Sequence, residues 1–410
     1  MTSPLPPALR MADMRFRHEY FGALAWSTTQ PRRFVELPSA AAMVALLARE
    51  PLAPQFPPLA QTALSDRFGL DEHRWTTIVD DLHSAGVLTP ADGVPVEPVT
   101  GMRVHAVADE AEAARPRTAV LKPFWVHLQP FTVCNQKCLH CYCSGGPKAD
   151  SFLLRLVQWH EIIRRLDDYG VPDIYITGGE SLLLPGFFDL AADIIGRGLG
   201  FGVSTNATVL NAGRLERLRE LGVSPVQVSL DGGQAATHEM IRAAPGSWGK
   251  TLAGIRALGE FTEVAINTVV NHVNLGELEQ VVQVGLGAGV RRFKFFPQKP
   301  VGRSNPAVTL DDTTILTVLM PECQRLAEAY DVDIETINPA EGCGSGSIGF
   351  AVDQRGDVYP CIFGVENQSL RAGNLLTDDL DSMWFNAAVW EPFRGEATTP
   401  CRRCEVPCPR

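Results

Sequence analysis

The sequence predicts an α/β protein: a partial (β/α)6 barrel, preceded by a winged-helix-like α+β module and followed by a small cysteine-rich domain. Three observations lead there. Between residues 124 and 298, six strand-like apolar runs alternate with helical segments, as parallel strands with crossover helices do. The block to Leu88 reads as strands followed by helices, and the block from 331 to 410 is short and rich in cysteine.

Residues 1–88 form the first module. FRHEYFGALAW alternates as a strand, and RRFVELP reads as its hairpin partner. SAAAMVALLAR opens on an N-cap serine with helical apolar spacing, and further helices are expected at FPPLAQTALSDRFG and HRWTTIVDDLHSAGVL. Residues 89–123 shift to Pro, Ala, Glu and Val without a period and read as a linker. Residues 124–330 are the barrel, with strands at FWVHLQPF, DIYITGG, GFGVSTN, PVQVSLDG, EVAINTVV and RRFKFFPQ. Helices such as SFLLRLVQWHEIIRRLDDYG and NAGRLERLRELG lie between them. Six units are too few to close the eight-stranded barrel. In such folds the chemistry gathers at the carboxyl ends of the strands. There this sequence places Gly178, Gly179, Glu180, Ser204, Asn206, Ser229 and Asp231. In residues 331–410, GFAVDQRGDVYPCI reads as a hairpin turning at Asp353-Gln-Arg-Gly356, and DDLDSMWFNAAVW as a helix. Two such elements make a meagre core, which a bound metal group would staple.

The 410 residues are 45% hydrophobic and 20% charged, an ordinary globular balance. A net charge of −11 argues against general affinity for nucleic acid or an anionic membrane. The first residues, MTSPLPPALRMADM, lack the apolar core of a signal peptide, and no apolar run approaches the roughly 20 residues of a membrane span. A cytoplasmic location is therefore expected. In that reducing compartment ten cysteines point to metal or redox chemistry rather than disulfides. Cys134, Cys138, Cys141 and Cys143 form one group, Cys343 and Cys361 a second, and Cys401, Cys404 and Cys408 a third. Cys323 stands apart and reads as a small buried side chain.

CNQKCLHC, residues 134–141, crowds three thiols into eight residues. A disulfide needs two and a closed zinc site four. Three thiolates on a four-iron cluster leave one iron open; a zinc site completed by Cys143 is the rival.

CNQKCLHC after the first strand, ITGGE after the second and STNAT after the third resemble the radical S-adenosylmethionine enzyme superfamily over about 124–303. That resemblance implies a 4Fe–4S cluster on Cys134, Cys138 and Cys141, with S-adenosylmethionine chelating the open iron. It further implies reductive cleavage to a 5′-deoxyadenosyl radical that takes hydrogen from substrate, with electrons from a flavodoxin- or ferredoxin-type reductant. Gly178 and Gly179 would let the backbone approach a ligand, and Glu180 would pair with the methionyl ammonium. Ser204 and Asn206 would bond the ribose or amino acid portion. Arg242, in HEMIRAAPGSW, resembles the arginine that pairs with the cofactor's carboxylate; a surface salt bridge is its plainer reading. His140 would turn its ring or its backbone to the adenine. Ser229 and Asp231 would serve cofactor or substrate, with Asp231 a catalytic candidate.

The later cysteines resemble SPASM and twitch auxiliary-cluster domains. Cys343, Cys361, Cys401 and Cys404 would saturate one auxiliary 4Fe–4S cluster, and Cys408 would be an alternative ligand or a catalytic thiol. Structural zinc suits such CxxC pairs too. The N-terminal module resembles the RiPP recognition element, on FRHEYFGALAW and the hairpin-plus-helices order. In that fold a leader peptide adds a strand to the hairpin edge. DNA binding is disfavoured because HRWTTIVDDLHSAG offers few basic residues. Together these resemblances imply an enzyme that holds the leader of a ribosomal precursor peptide and modifies its core, by a crosslink or another oxidative change. The alternative is a radical dehydrogenase of a small molecule such as a sugar or cyclitol.

Overall fold

The structure, a computed structural model, describes residues 122–148, 154–337, 344–365 and 367–394. Nearer the N-terminus it describes 9–11, 14–19, 22–27, 34–38, 72–84, 87–90 and 104–105, with side chains at 76–84, 87 and 88. The chain divides into two compact units, 1–121 and 122–410.

In the first unit, β1 (Leu9–Met11) pairs antiparallel with β5 (Leu88–Pro90). A separate four-stranded sheet has the order β4 (Phe34–Pro38), β3 (Gly22–Ser27), β2 (Met14–Glu19), β6 (Val104–His105). Here the sequence reading needs correction. FRHEYFGALAW is not one strand: it folds back on itself, with Glu19 opposite Gly22 and Met14 opposite Ser27. Alternation continues on both sides of the turn and hid it, although five or six residues are the usual length of a strand. RRFVELP does pair, with the second half of that run, Val35 lying opposite Ala25. Helix α1 (Glu72–Ser84) forms at the expected HRWTTIVDDLHSAGVL, beginning one residue before it. The helices expected at SAAAMVALLAR and FPPLAQTALSDRFG lie outside the described residues.

In the second unit all six expected barrel strands form. They are β7 (Trp125–Leu128), β8 (Asp173–Ile176), β9 (Gly200–Thr205), β10 (Val226–Ser229), β11 (Val264–Val270) and β12 (Arg292–Pro297). They lie side by side in chain order and parallel. Alternate residues of β7, β8 and β10 (Val126, Leu128, Ile174, Ile176, Val226 and Val228) are at most 1% exposed, so one face of the sheet is sealed. Crossover helices supply the cover: α2 (Leu156–Tyr169), α3 (Phe187–Gly196), α4 (Ala212–Glu220), α5 (Ala235–Arg242), α6 (Ser247–Gly259) and α7 (Leu278–Leu286). In α2 the apolar residues Trp159, Ile162, Ile163 and Leu166 recur at helical spacing and are all buried. The helix starts where Arg155 N–H donates to Gln158 Oε1 (3.0 Å) and stops at Gly170.

Helix α8 (Met320–Tyr330) leads to β13 (Asp333–Glu335), which extends the sheet parallel beyond β12. At the opposite edge β14 (Gly349–Val352) lies parallel beside β7, followed by antiparallel β15 (Asp357–Tyr359) and β16 (Gly373–Asn374). The expected hairpin turn forms: Asp353 Oδ1 accepts from the N–H groups of Arg355 (2.8 Å) and Asp357 (3.0 Å). The hairpin does not stand alone, because β14 borrows the edge of the main sheet. Helix α9 (Leu380–Asn386) covers it, with Trp384 and Trp390 packed on Phe350 and the Arg394 guanidinium over both indoles. The structure is thus a mostly parallel α/β sheet of partial-barrel type.

Candidate functional site

Beyond β7 the chain runs through the cysteine loop and returns at Gly146, where Cys134 N–H donates to Gly146 O (3.1 Å). The end of β8 packs on this loop. Gly179 N–H donates to Phe131 O (3.1 Å) and Glu180 N–H to Val133 O (3.0 Å). A Cβ on Gly178 would sit 2.3 Å from Phe131 O, and one on Gly179 2.0 Å from Val133 O. The two glycines therefore make room for the cysteine loop. The loop is held from two other sides. Leu139 N–H donates to Ile241 O (2.8 Å) at the end of α5. Arg303, beyond β12, donates from Nε to Cys138 O (3.1 Å) and from its backbone to Cys141 O (3.0 Å). Gly302, at φ +62°, brings the backbone against the carbonyls of Cys141 and Tyr142, where a Cβ would come within 2.4 Å. Arg303 and Gly302 carry no motif, and the sequence reading gave them no role.

Each of the three sulfurs receives at least one N–H, and Cys134 Sγ a second, longer one from Asn206 Nδ2 (4.0 Å). Gln136 N–H points to Cys134 Sγ (3.4 Å), Gly145 N–H to Cys141 Sγ (3.3 Å) and Arg242 Nη1 to Cys138 Sγ (3.6 Å). Burial pushes the Cys134 thiol up to about 12. The thiol of Cys143 and the N–H of Gly145 bring Cys141 down to about 6, against the opposing pull of burial. Cys143 itself donates to Gly178 O (3.2 Å) and lies 3.7 Å from Cys141 Sγ. Among the described residues no three His, Cys, Asp or Glu side chains converge on a point that would hold a single metal ion.

Glu180 is 1% exposed. Its Oε1 accepts from Thr205 Oγ1 (2.5 Å) and Leu182 N–H (3.2 Å), and Oε2 accepts from Asn206 N–H (2.7 Å). Burial nonetheless raises its pKa, and no ion pair reaches it among the described residues. Asn206 also donates from Nδ2 to Asn135 Oδ1 (2.8 Å), which ties the end of β9 to the cysteine loop. Ser204 and Ser229 stand half-buried on β9 and β10. Thr205, whose hydroxyl holds Glu180, was missed because the run STNAT offers several hydroxyls with nothing to rank them.

Asp231, just past β10, is fully buried and central. Its Oδ2 lies 2.7 Å from His140 Nε2 and 2.6 Å from Arg242 Nε, and its Oδ1 accepts from Val269 N–H (2.9 Å). Burial alone would raise this carboxyl, but Arg242 and His140 hold it below the usual carboxylate range. His238 accepts from Asp231 N–H at Nδ1 (3.2 Å) and is lowered to about 4 by burial and by Arg242, so it is neutral. The ring of His140 is engaged with a carboxylate, and Arg242 lies in a buried ion pair rather than at the surface. Asp231 is held as an ionised acceptor, which does not suit it to carry a proton in catalysis.

Of the later cysteines, Cys361 is buried at 6% exposure, and Phe363 two residues on packs edge-to-face with Tyr142 at 5.4 Å. Cys343, Cys401, Cys404 and Cys408 lie outside the described residues.

Comparison with known proteins fits this arrangement. Residues 128–284 match the Radical SAM superfamily and residues 343–405 match SPASM, an iron-sulfur cluster-binding domain. Among curated relatives, the AdoMet-dependent heme synthase of Methanosarcina barkeri is 28% identical over 66% of this chain and 85% of its own. Mycofactocin maturase MftC of Mycobacterium ulcerans is 28% identical over 66% of this chain and 77% of its own. The crystal structure of Streptococcus suis SuiB bound to S-adenosylmethionine superposes with a TM-score of 0.70 at 16% identity, covering 94% of this chain and 90% of that one.

Proposed function

We propose that this chain, a radical SAM enzyme carrying a SPASM block, is a maturase that modifies a ribosomally made precursor peptide. The observation that carries this reading is the reach of the fold match. Heme synthase and maturase relatives each match 66% of the chain at 28% identity, so those matches alone do not choose between them. The fold of SuiB, by contrast, covers 94% of the chain, and SuiB has also been solved bound to its precursor peptide SuiA. A small-molecule dehydrogenase has no comparable support.

The residues fit the cofactors that the two domains imply. Cys134, Cys138 and Cys141 would hold the first cluster, each sulfur already facing an N–H donor of the kind that stabilises cluster ligands. Glu180 is a buried carboxylate with no ion-pair partner among the described residues, and the methionyl ammonium of S-adenosylmethionine would supply one. Asn206, bonded to the cysteine loop, would line the same space, with Ser204 and Ser229 on neighbouring strands. When bound, the cluster and S-adenosylmethionine supply a 5′-deoxyadenosyl radical able to take hydrogen from a substrate carbon. Cys343, Cys361, Cys401 and Cys404 all fall within the 343–405 match and would hold an auxiliary cluster, with Cys408, just beyond it, as a spare, an alternative ligand or a functional thiol. We assign the leader peptide to the N-terminal unit, read as RiPP recognition element-like, and the electron supply to a flavodoxin- or ferredoxin-type reductant. Among the described residues no helix is long and apolar enough to cross a membrane.

The function is tested by anaerobic incubation of reconstituted protein with S-adenosylmethionine, dithionite and precursor peptides from neighbouring open reading frames. The expected result is 5′-deoxyadenosine formed together with a mass change in one peptide's core. Turnover of a free sugar or cyclitol with no peptide present would replace this reading with the dehydrogenase.

Glu180→Gln keeps the shape of the side chain and removes its charge. A charge-assisted contact is worth about 1.5–3 kcal/mol, so affinity for S-adenosylmethionine should fall roughly tenfold to a hundredfold with cluster content retained. Equilibrium dialysis on the reconstituted variant measures this, and wild-type affinity would show that the ammonium binds elsewhere.

A further inference from the structure

Two of the three cluster cysteines take a backbone N–H from close by, Cys134 from Gln136 and Cys141 from Gly145, and Cys134 adds the neutral amide of Asn206 at 4.0 Å. Cys138 differs. Its donor is the guanidinium of Arg242, a full positive charge 104 residues away in sequence. Both partners are 7% exposed, so water does little to weaken the interaction.

The arginine is held firmly in place. Its Nε lies 2.6 Å from Asp231 Oδ2, yet out of line for a hydrogen bond, so the attraction is ionic and Nη1 remains turned to the sulfur. Asp231 is in turn fixed by His140, by Val269 N–H and by Asn274, whose Nδ2 donates to Asp231 O (2.9 Å). Arg242 is the last residue of α5, and the bond from Leu139 N–H to Ile241 O registers that helix end against the cysteine loop. Arginine, carboxylate and cysteine loop are therefore tied to one another by direct contacts.

We propose that Arg242, positioned by Asp231, tunes the first cluster's reduction potential by donating a charge-assisted N–H to Cys138 Sγ. Reduction adds one negative charge to a cluster. A fixed cation on a ligand sulfur stabilises the reduced form more than the oxidised form and raises the potential. Asp231 is a positioning residue: its ion pair with Nε holds the guanidinium with Nη1 toward the sulfur. This assignment rests on the radical SAM reading, and it adds a task toward the cluster to the one expected of Arg242 toward the carboxylate of S-adenosylmethionine.

The test uses the full chain, reconstituted anaerobically and assayed without substrate. In EPR-monitored redox titration, Arg242→Gln should shift the midpoint to a more negative potential than wild type, and Arg242→Lys, which keeps charge but loses the planar fork, should lie between them. Electron–nuclear double resonance on reduced wild type labelled with 15N-arginine should show a nitrogen coupled to the cluster, and Asp231→Asn should lose that coupling. An Arg242→Gln protein with full iron content and an unmoved midpoint would overturn the proposal. So would a wild type without 15N coupling, a result that stands even if the variants fail to assemble. Persistence of the coupling in Asp231→Asn would remove Asp231 from it. A wild type that binds no cluster at all would sink the functional reading itself, and iron analysis distinguishes that case.

Discussion

Replacing Cys134, Cys138 and Cys141 together by alanine is expected to abolish cleavage of S-adenosylmethionine while leaving about half of the bound iron. Three ligands followed by four should hold two clusters, or about eight iron and eight sulfide per chain by ligand count. The triple variant loses the first set alone, because Cys343, Cys361, Cys401 and Cys404 lie more than two hundred residues downstream. The loop itself should survive. Its shape is set by main-chain bonds from Gly146, Gly179 and Glu180 and by the clamp of Arg303, none of which involves a thiol. Cys143→Ala serves as the control, since its sulfur donates to the carbonyl of Gly178 and should not be needed for iron. Iron and sulfide analysis with the visible spectrum reads the outcome. Bound zinc without a brown chromophore in wild type, or full iron in the triple variant, would overturn the cluster assignment.

The barrel was legible because its strands are buried on at least one face and separated by helical spacing. Residues such as Ile174 and Val228 could be assigned from pattern alone. The triad of cysteines was legible for a different reason, its spacing being local. What pattern could not supply was convergence. His140, Asp231 and Arg242 meet within 2.7 Å although 91 residues separate the first two, and each alone reads as an ordinary polar side chain near a loop. Gly178 and Gly179 show the same limit in another form. Their small size was plain, but whether it admits a ligand or the carbonyls of Phe131 and Val133 depends on which loop folds over them. The hairpin hidden in FRHEYFGALAW failed on turn chemistry, since only Gly22 marks it and no asparagine or proline precedes.

Deleting residues 1–88 should spare cleavage of S-adenosylmethionine and abolish or greatly slow peptide modification. Every proposed cluster ligand lies at residue 134 or beyond. The barrel strands and the β14 hairpin belong to the second compact unit, so the reaction centre should persist. The deleted part contains a strand with an open side. Among the described residues β4 pairs with β3 and with nothing else, so Phe34–Pro38 forms an edge of its sheet. An extended leader can add there, its backbone groups bonding those that β3 leaves unused. Tethered in this way, a peptide's core gains an effective concentration commonly in the mM range for a short flexible connection. Without the tether, modification would depend on the core's own affinity. Along an antiparallel edge, N–H groups alternate between facing the neighbour and facing outward. One of Val35 and Glu36 therefore presents its N–H to the incoming strand, and proline at that position removes the donor. Fluorescence titration of a labelled leader against wild type, Val35→Pro, Glu36→Pro and the truncated protein reads the effect. Tight binding should vanish in the truncated protein and weaken in at least one proline variant. Equal affinity for full-length and truncated protein would place the leader on the barrel unit instead.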